Sequence, residues 1–111
     1  MDDCIFCKIR DGVIDTELVY EDDELIAFND INAQAPVHLL VVPKEHIPSI
    51  VDVEDYGLIA RAHQVAIELA EEKGLEDGFR IVNNCGPEGG QTVNHLHFHL
   101  LGGRQLQWPP G

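Results

Sequence analysis

The chain has 111 residues, of which 20 are acidic and 7 basic, giving a formal net charge of −13. Its length suits one domain of modest size. Its charge argues against sequence-independent binding to DNA or RNA, which needs Lys and Arg to neutralise phosphates, and against an anionic membrane surface. A small anionic substrate stays open, because main-chain N–H groups and imidazoles can hold a phosphate without net positive charge. The hydrophobic fraction of 44% is ordinary for a soluble globular protein. The longest apolar run, Val37–Pro43, is interrupted by His38 and is too short to cross a bilayer. The acidic start Met1-Asp2-Asp3 lacks the basic-then-apolar pattern of a signal peptide. Three cysteines in such a chain read as thiols or metal ligands, so a reducing, cytoplasmic compartment is expected.

In chain order, residues 4–10 form a compact start, one helical turn or a tight loop, ended by Asp11-Gly12. Two strand-like runs follow, 17–21 and Leu25–Asn29, separated by the acidic turn Asp22-Asp23-Glu24. Residues 32–36 lead into a β-branched and leucine-rich run, 37–42, that stops at Pro43 and reads as a buried strand. A helix is expected from Asp52, which can cap it, with Asp55 in its first turn. Leu58, Ile59, Ala62, Val65, Ala66, Leu69 and Ala70 follow the rhythm of one buried face, and Gly74 ends it. His63 lies on this helix as a surface or boundary residue with no partner motif. Residues 79–83 form another strand candidate, followed by the loop Cys85-Gly86-Pro87-Glu88-Gly89-Gly90 and a strand over 91–101. Several strands, one long helix and two more strands predict α+β with a mainly antiparallel sheet.

The run His95-Leu96-His97-Phe98-His99 carries the chemistry. In a strand it places three imidazoles on one face, about 6.5–7 Å apart, with Leu96, Phe98 and Leu100 on the other. Three readings compete at this point: a solvent-facing histidine-rich face, a metal site, or nucleophilic catalysis with one imidazole attacking and others orienting. The upstream stretch Gly89-Gly90-Gln91-Thr92 offers N–H donors, an amide and a hydroxyl to phosphate oxygens, which favours the third.

The stretch Gly90-Gln91-Thr92-Val93-Asn94-His95-Leu96-His97-Phe98-His99-Leu100-Leu101 resembles the signature of the histidine triad family. The likeness extends over nearly the whole chain. It includes Phe28-Asn29-Asp30-Ile31, the run from Gln34 to Lys44, and the tail Gly102-Gly103-Arg104-Gln105-Leu106-Gln107-Trp108-Pro109-Pro110-Gly111, which is similar to the nucleotide-binding phosphoramidase branch called Hint. The resemblance implies His97 as the nucleophile on the α-phosphorus, forming a nucleotidyl-imidazole intermediate. It implies His99 on the phosphate oxygens and His38 in proton transfer, with Thr92 and the backbone around Gly90 and Gln91 neutralising charge on the phosphoryl and leaving groups. Thr92 stands where family members often have serine, which keeps the hydroxyl. The family pattern places base and ribose in a cleft of Ile5, Phe6, Ile9, Phe28, Asp30, Ile31 and Leu40. Asp30 would accept from the ribose hydroxyls and Asn84 would touch the phosphate or ribose side. Without the resemblance, Phe6, Phe28 and Leu40 would read equally well as plain core. A transferase branch has glutamine at the third triad position, so His99 points to hydrolysis.

Cys4-Ile5-Phe6-Cys7 is a C-x-x-C pair that could be redox-active, although no thioredoxin-like βαβ context surrounds it. Zinc would need two further ligands. The resemblance to bacterial triad proteins supplies them: Cys4, Cys7, His46 and His95, a structural set with no position left for water. Cys85 reads as a bystander. The fold expected is α+β, HIT-like, one histidine triad domain over 1–111 with about five strands, and the resemblance implies a homodimer with the sheet extended across it and Trp108 reaching towards the partner's site. The expected activity is hydrolysis of purine nucleoside 5'-phosphoramidates such as adenosine 5'-phosphoramidate. The alternatives are hydrolysis of dinucleoside polyphosphates by the same chemistry, or a non-catalytic purine nucleotide-binding or zinc-dependent interaction module.

Overall fold

The computed structural model describes residues 3–111; Met1 and Asp2 of the acidic start lie outside the described residues. The chain opens with α1 (Ile5–Arg10), capped by the Cys4 side chain, whose sulfur accepts the Cys7 N–H at 3.4 Å. Lys8 and Arg10 occupy the last turn, where the helix dipole favours cations. Then come β1 (Leu18–Glu21) and β2 (Leu25–Asn29). Their acidic turn is organised by Asp22, whose Oδ1 accepts from the N–H groups of Glu24 and Leu25, each at 2.8 Å. After β3 (Val37–Pro43), a short 3-10 turn (Ile50–Asp52) precedes α2 (Tyr56–Glu72), and β4 (Phe79–Val82) and β5 (Phe98–Gly102) complete the chain.

The five strands form one antiparallel sheet in the order β1-β2-β3-β5-β4. β3 is central and buried on both faces, which explains its continuous apolar sequence. Its alternate residues serve two cores. Leu39 and Val41 pack with Leu58, Ala62, Val65, Leu69, Phe98 and Leu100 under α2. Leu40 and Val42 pack on the other face with Phe6, Ile9, Ile26 and Phe28, beneath α1. Each fully buried leucine or phenylalanine contributes about 1.5–3 kcal/mol relative to exposure. No helix among the described residues is long and apolar enough to cross a membrane.

Two boundaries differ from the sequence reading by more than one residue. The cap of α2 is Asp55, not Asp52: Asp55 accepts the Gly57 N–H at 2.9 Å, while Asp52 closes the 3-10 turn and binds the Ser49 hydroxyl. The intervening Val53 is buried, and anchoring it breaks the chain direction before the helix can start. The last strand begins at Phe98 rather than at Gln91. Its approach is held instead by contacts to loops, with the Leu96 N–H donating to Ile47 C=O at 2.7 Å and Asn83 Nδ2 donating to His97 C=O at 3.0 Å. Gly74, with φ +71, ends α2 where the sequence placed its stop.

Candidate functional site

Side-chain alternation outlasts the hydrogen-bonded ladder. Leu96, Phe98 and Leu100 enter the core under α2, and the three histidines point to the α1 side. The Phe6 ring meets His95 at 5.8 Å and His97 at 5.0 Å, both edge to face, and His97 lies 5.1 Å from His99. β3 adds His38, whose ring centroid is 5.1 Å from that of His99. The register explains this: His99 pairs with Leu40, so His38, Leu40 and His99 share the α1 face. His63 stays outside the cluster, its Nδ1–H donating to Ile59 C=O at 2.8 Å and its ring against Phe98.

Hydrogen bonds assign the ring protons. His97 Nδ1–H donates to the His95 carbonyl at 2.7 Å, so the His97 lone pair is on Nε2. The Gln34 N–H donates to His38 Nδ1 at 3.0 Å, which leaves the His38 proton on Nε2. That Nε2–H donates to His99 Nδ1 at 2.8 Å, with Asp30 Oδ2 a more distant acceptor at 3.4 Å. His99 therefore carries its proton on Nε2. An acceptor nitrogen on His97 thus stands beside a donor nitrogen on His99. Burial pushes all of these imidazoles below the ordinary histidine range. His99 goes down to about 4, with His97 and His38 nearby adding to the effect. His97 and His38 are lowered by burial and partly restored, His97 by its bond to the His95 carbonyl and then by Asp30, His38 by Asp30. Neutral imidazoles at pH 7 suit nucleophilic work.

The glycine-rich loop is internally braced. Gln91, read from sequence as a phosphate ligand, uses its side chain elsewhere: Oε1 accepts the Gly86 N–H at 3.0 Å, and Nε2 donates to Pro48 C=O at 2.8 Å and Val93 C=O at 3.0 Å. Its N–H donates to Gly86 C=O and that of Gly90 to Pro87 C=O. Gln91 thus shapes the loop rather than presenting free donors. Asn84 likewise donates to Gly89 C=O at 2.7 Å. Thr92 is exposed at the loop's exit. A Cβ on Gly89 would run into the Cys85 carbonyl oxygen, so the tight turn requires glycine there.

Of the expected cleft residues, Phe6, Ile9, Phe28 and Leu40 form the buried cluster beneath α1, and Ile5 is exposed. Ile31 departs from the cluster: it is fully exposed, because residues 30–36 leave the sheet as a loop. Asp30 stands at the base of that loop, Oδ1 accepting the Asn32 N–H at 2.8 Å. Two surface cavities, of about 490 and 310 Å³, lie away from His97 and His99, one beside Arg80 and Arg104 and the other beside Glu54 and Leu58.

Cys4, Cys7, His46 and His95 converge from α1, the loop after β3 and the approach to β5, with all ligand atoms within 4.8 Å of one another. Cys4 Sγ is 3.3 Å and Cys7 Sγ 3.6 Å from His95 Nδ1, Cys7 Sγ is 3.3 Å from His46 Nδ1, and the two Nδ1 atoms are 3.1 Å apart. Tetrahedral zinc with ordinary bond lengths separates nitrogen from nitrogen by about 3.3 Å and sulfur from nitrogen by about 3.6 Å. The cluster therefore fits such an ion. His95 Nε2–H donates to Pro43 C=O at 2.8 Å, which turns the lone pair of Nδ1 towards the sulfurs, as a metal ligand requires. Burial and the neighbouring Cys4 raise the Cys7 thiol, and burial takes His95 down to about 4, so a metal bound here would displace the thiol proton and find His95 already neutral. A second trio, Asp30, His38 and His99, also converges. It does not fit a metal, because the His38 nitrogen facing the trio carries the proton.

A HIT domain model matches residues 11–106. The chain belongs to the HIT family. It is 51% identical to a HIT family hydrolase from Legionella pneumophila Philadelphia 1, over 98% of this chain and 100% of that one, with a TM-score of 0.95. A histidine triad protein from Clostridium difficile is 50% identical over 96% of each chain, with a TM-score of 0.92. An uncharacterized HIT-like protein of Synechococcus elongatus is 48% identical over 99% of this chain and 98% of its own.

In this HIT-family chain, sequence reasoning missed four groups that organise the site. The Gln34 N–H sets His38, the His95 and Pro43 carbonyls set His97 and His95, and Asn83 holds the His97 carbonyl. Three of these act through the main chain and leave no mark in residue type. Asn83 was findable, as a polar residue ending a strand candidate just before the glycine-rich loop.

Proposed function

We propose that this HIT-family chain is a hydrolase of purine nucleoside 5'-phosphoramidates, such as adenosine 5'-phosphoramidate. The observation that carries the reading is the pairing of His97 Nε2, an acceptor, with His99 Nε2–H, a donor, on rings 5.1 Å apart. His97 Nε2 attacks the α-phosphorus as the P–N bond breaks, and the leaving nitrogen takes a proton from solvent water to depart as the neutral amine, a proton that the hydrolytic step returns to solvent. Water then attacks the same phosphorus, breaks the bond to His97 and releases the nucleoside monophosphate. His99 donates to a non-bridging phosphate oxygen throughout, where negative charge gathers. His38 holds the His99 tautomer, and Thr92 at the loop exit offers a hydroxyl to the phosphoryl group. The cluster beneath α1 supports the purine, with Asp30 near its edge for the ribose.

Zinc on Cys4, Cys7, His46 and His95 belongs to the same reading, as a structural tie between α1 and the approach to β5. His95 would thereby serve the metal through Nδ1 and the nucleophile through its carbonyl. The reading includes a homodimer: among the described residues the outer edge of β4 has no strand partner, and Trp108 is 82% exposed in the tail. It places one histidine triad domain in a reducing, cytoplasmic setting, with the acidic surface unsuited to nucleic acid or membrane.

The test compares wild type and His97→Ala on adenosine 5'-phosphoramidate and on diadenosine tetraphosphate. Turnover of the phosphoramidate by wild type and its loss in the variant are expected. Undiminished turnover in the variant overturns the nucleophile. Preference for the polyphosphate overturns the substrate class, and AMP binding without turnover of either overturns the enzyme reading.

A further inference from the structure

Which nitrogen of His99 carries the proton decides whether it donates to an oxyanion or opposes it with a lone pair. His99 does not settle this itself. The decision passes through His38 to the N–H of Gln34, in a loop outside the sheet. If the Gln34 N–H moved away, His38 could carry its proton on Nδ1. His99 would then donate through Nδ1 to His38 and turn a lone pair on Nε2 towards the site.

The position of Gln34 is fixed from the far end of the chain. Arg104 places two donors on the Gln34 carbonyl, Nε at 3.3 Å and Nη2 at 3.0 Å, across 70 residues of sequence. The carbonyl and the N–H belong to the two peptide groups flanking the Gln34 Cα. Holding both restrains the backbone dihedrals that aim the N–H at His38. The approach is close: a Cβ on Gly103, which has φ +95, would meet the Pro36 side chain at 2.9 Å. Within the loop, Gln34 Nε2 also donates to Asn32 C=O at 3.0 Å, and Asp30 accepts the Asn32 N–H. Arg104 forms no ion pair among the described residues, and its Nη1 donates to Gln105 C=O at 3.0 Å.

We propose that the Arg104 fork on the Gln34 carbonyl is a tautomer latch: it holds the Gln34 N–H on His38 so that His99 presents an N–H, not a lone pair, to the substrate phosphate. Gln34 and Arg104 are positioning residues, acting through His38 and His99. The catalytic consequence rests on the hydrolase reading above, whereas the tautomers themselves do not.

The test is a long-range proton–nitrogen NMR correlation on histidine-labelled full-length protein at neutral pH, paired with kinetics on adenosine 5'-phosphoramidate. Wild type is expected to show His38 and His99 protonated on Nε2 and His97 on Nδ1. Arg104→Ala should move His38 and His99 towards the Nδ1–H form and lower kcat about 10-fold, the effect of losing roughly one charge-assisted hydrogen bond, with KM little changed. Arg104→Lys should recover part of both. Gln34→Pro removes the N–H itself and should give the fuller shift; if it does not fold, Arg104→Ala carries the test. Arg80→Ala is the control, since it frees the tail at Gln107 C=O without touching Gln34, and it should leave the tautomers unchanged. Wild-type tautomers in Arg104→Ala overturn the latch even if the enzyme is active. Equal shifts in Arg80→Ala and Arg104→Ala also overturn it, in favour of a general role for the tail. Shifted tautomers in Arg104→Ala, with no phosphoramidate turnover by wild type, uphold the latch and overturn the phosphoramidate reading.

Discussion

Phe6 links the core beneath α1 to the chemistry, so Phe6→Ala separates the two cores of the protein. The ring is 6% exposed and packs edge to face on Phe28, His95 and His97. A phenylalanine buries about 150–250 Å², which at about 25 cal/mol per Å² corresponds to about 4–6 kcal/mol. Measured truncations of this kind cost about 3–5 kcal/mol, because the alanine methyl remains and the cavity partly relaxes. At roughly 4 °C per kcal/mol for a chain of this size, Tm should fall by about 12–20 °C. Leu69→Ala is the matched comparison: it lies on the buried face of α2 at 2% exposure and should cost about 2–5 kcal/mol. The assay is urea unfolding for stability, then kcat at a temperature where both variants are folded. Phe6→Ala should lower kcat because His97 loses the ring that walls it, whereas Leu69→Ala should not. Equal kcat in the two variants, or a stability loss below about 1 kcal/mol for Phe6→Ala, would refute the reasoning.

Three further outcomes are expected. The His99 imidazole at about 4 and the lowered His38 mean that the folded chain binds fewer protons than the unfolded one below about 6.5. Stability should therefore hold above that pH and decline as pH falls towards 4; urea midpoints across this range should show a shallower decline in His99→Asn than in wild type. Cys4→Ser should abolish stoichiometric zinc by elemental analysis and lower Tm, and zinc-free wild type with an unchanged Tm would contradict the metal site. Gly89→Ala forces a Cβ onto the Cys85 carbonyl and should cost about 1–3 kcal/mol by thermal unfolding, with a larger fractional loss in kcat than in stability of the sheet.

Much of the fold was legible because its determinants are side-chain patterns. The continuous apolar run of β3 marked a strand covered on both faces, and the spacing from Leu58 to Ala70 marked the buried stripe of α2. The strand through the histidines was read too long because alternation in side-chain direction survives where ladder bonding stops; the N–H of Leu96 is taken by Ile47, not by a neighbouring strand. At α2 two aspartates competed as the cap, and burial of Val53, a tertiary effect, decided for Asp55. The convergence of Cys4, Cys7, His46 and His95 followed from the family likeness rather than from spacing, since His46 carries no local mark. Gln34 and Arg104 were invisible as partners. Their contact joins a carbonyl to a side chain across the sheet's end, and a main-chain acceptor looks the same at every residue.

The central claim, nucleophilic attack by His97, is tested most directly by stopping the reaction on adenosine 5'-phosphoramidate in alkali, digesting the protein and sequencing the modified peptide by mass spectrometry. The account predicts an adenylyl group on His97 in wild type, accumulating when hydrolysis of the intermediate is slowed and absent in His97→Ala. An adduct on His99 or His38, or steady turnover with no adduct at any time point, would contradict it.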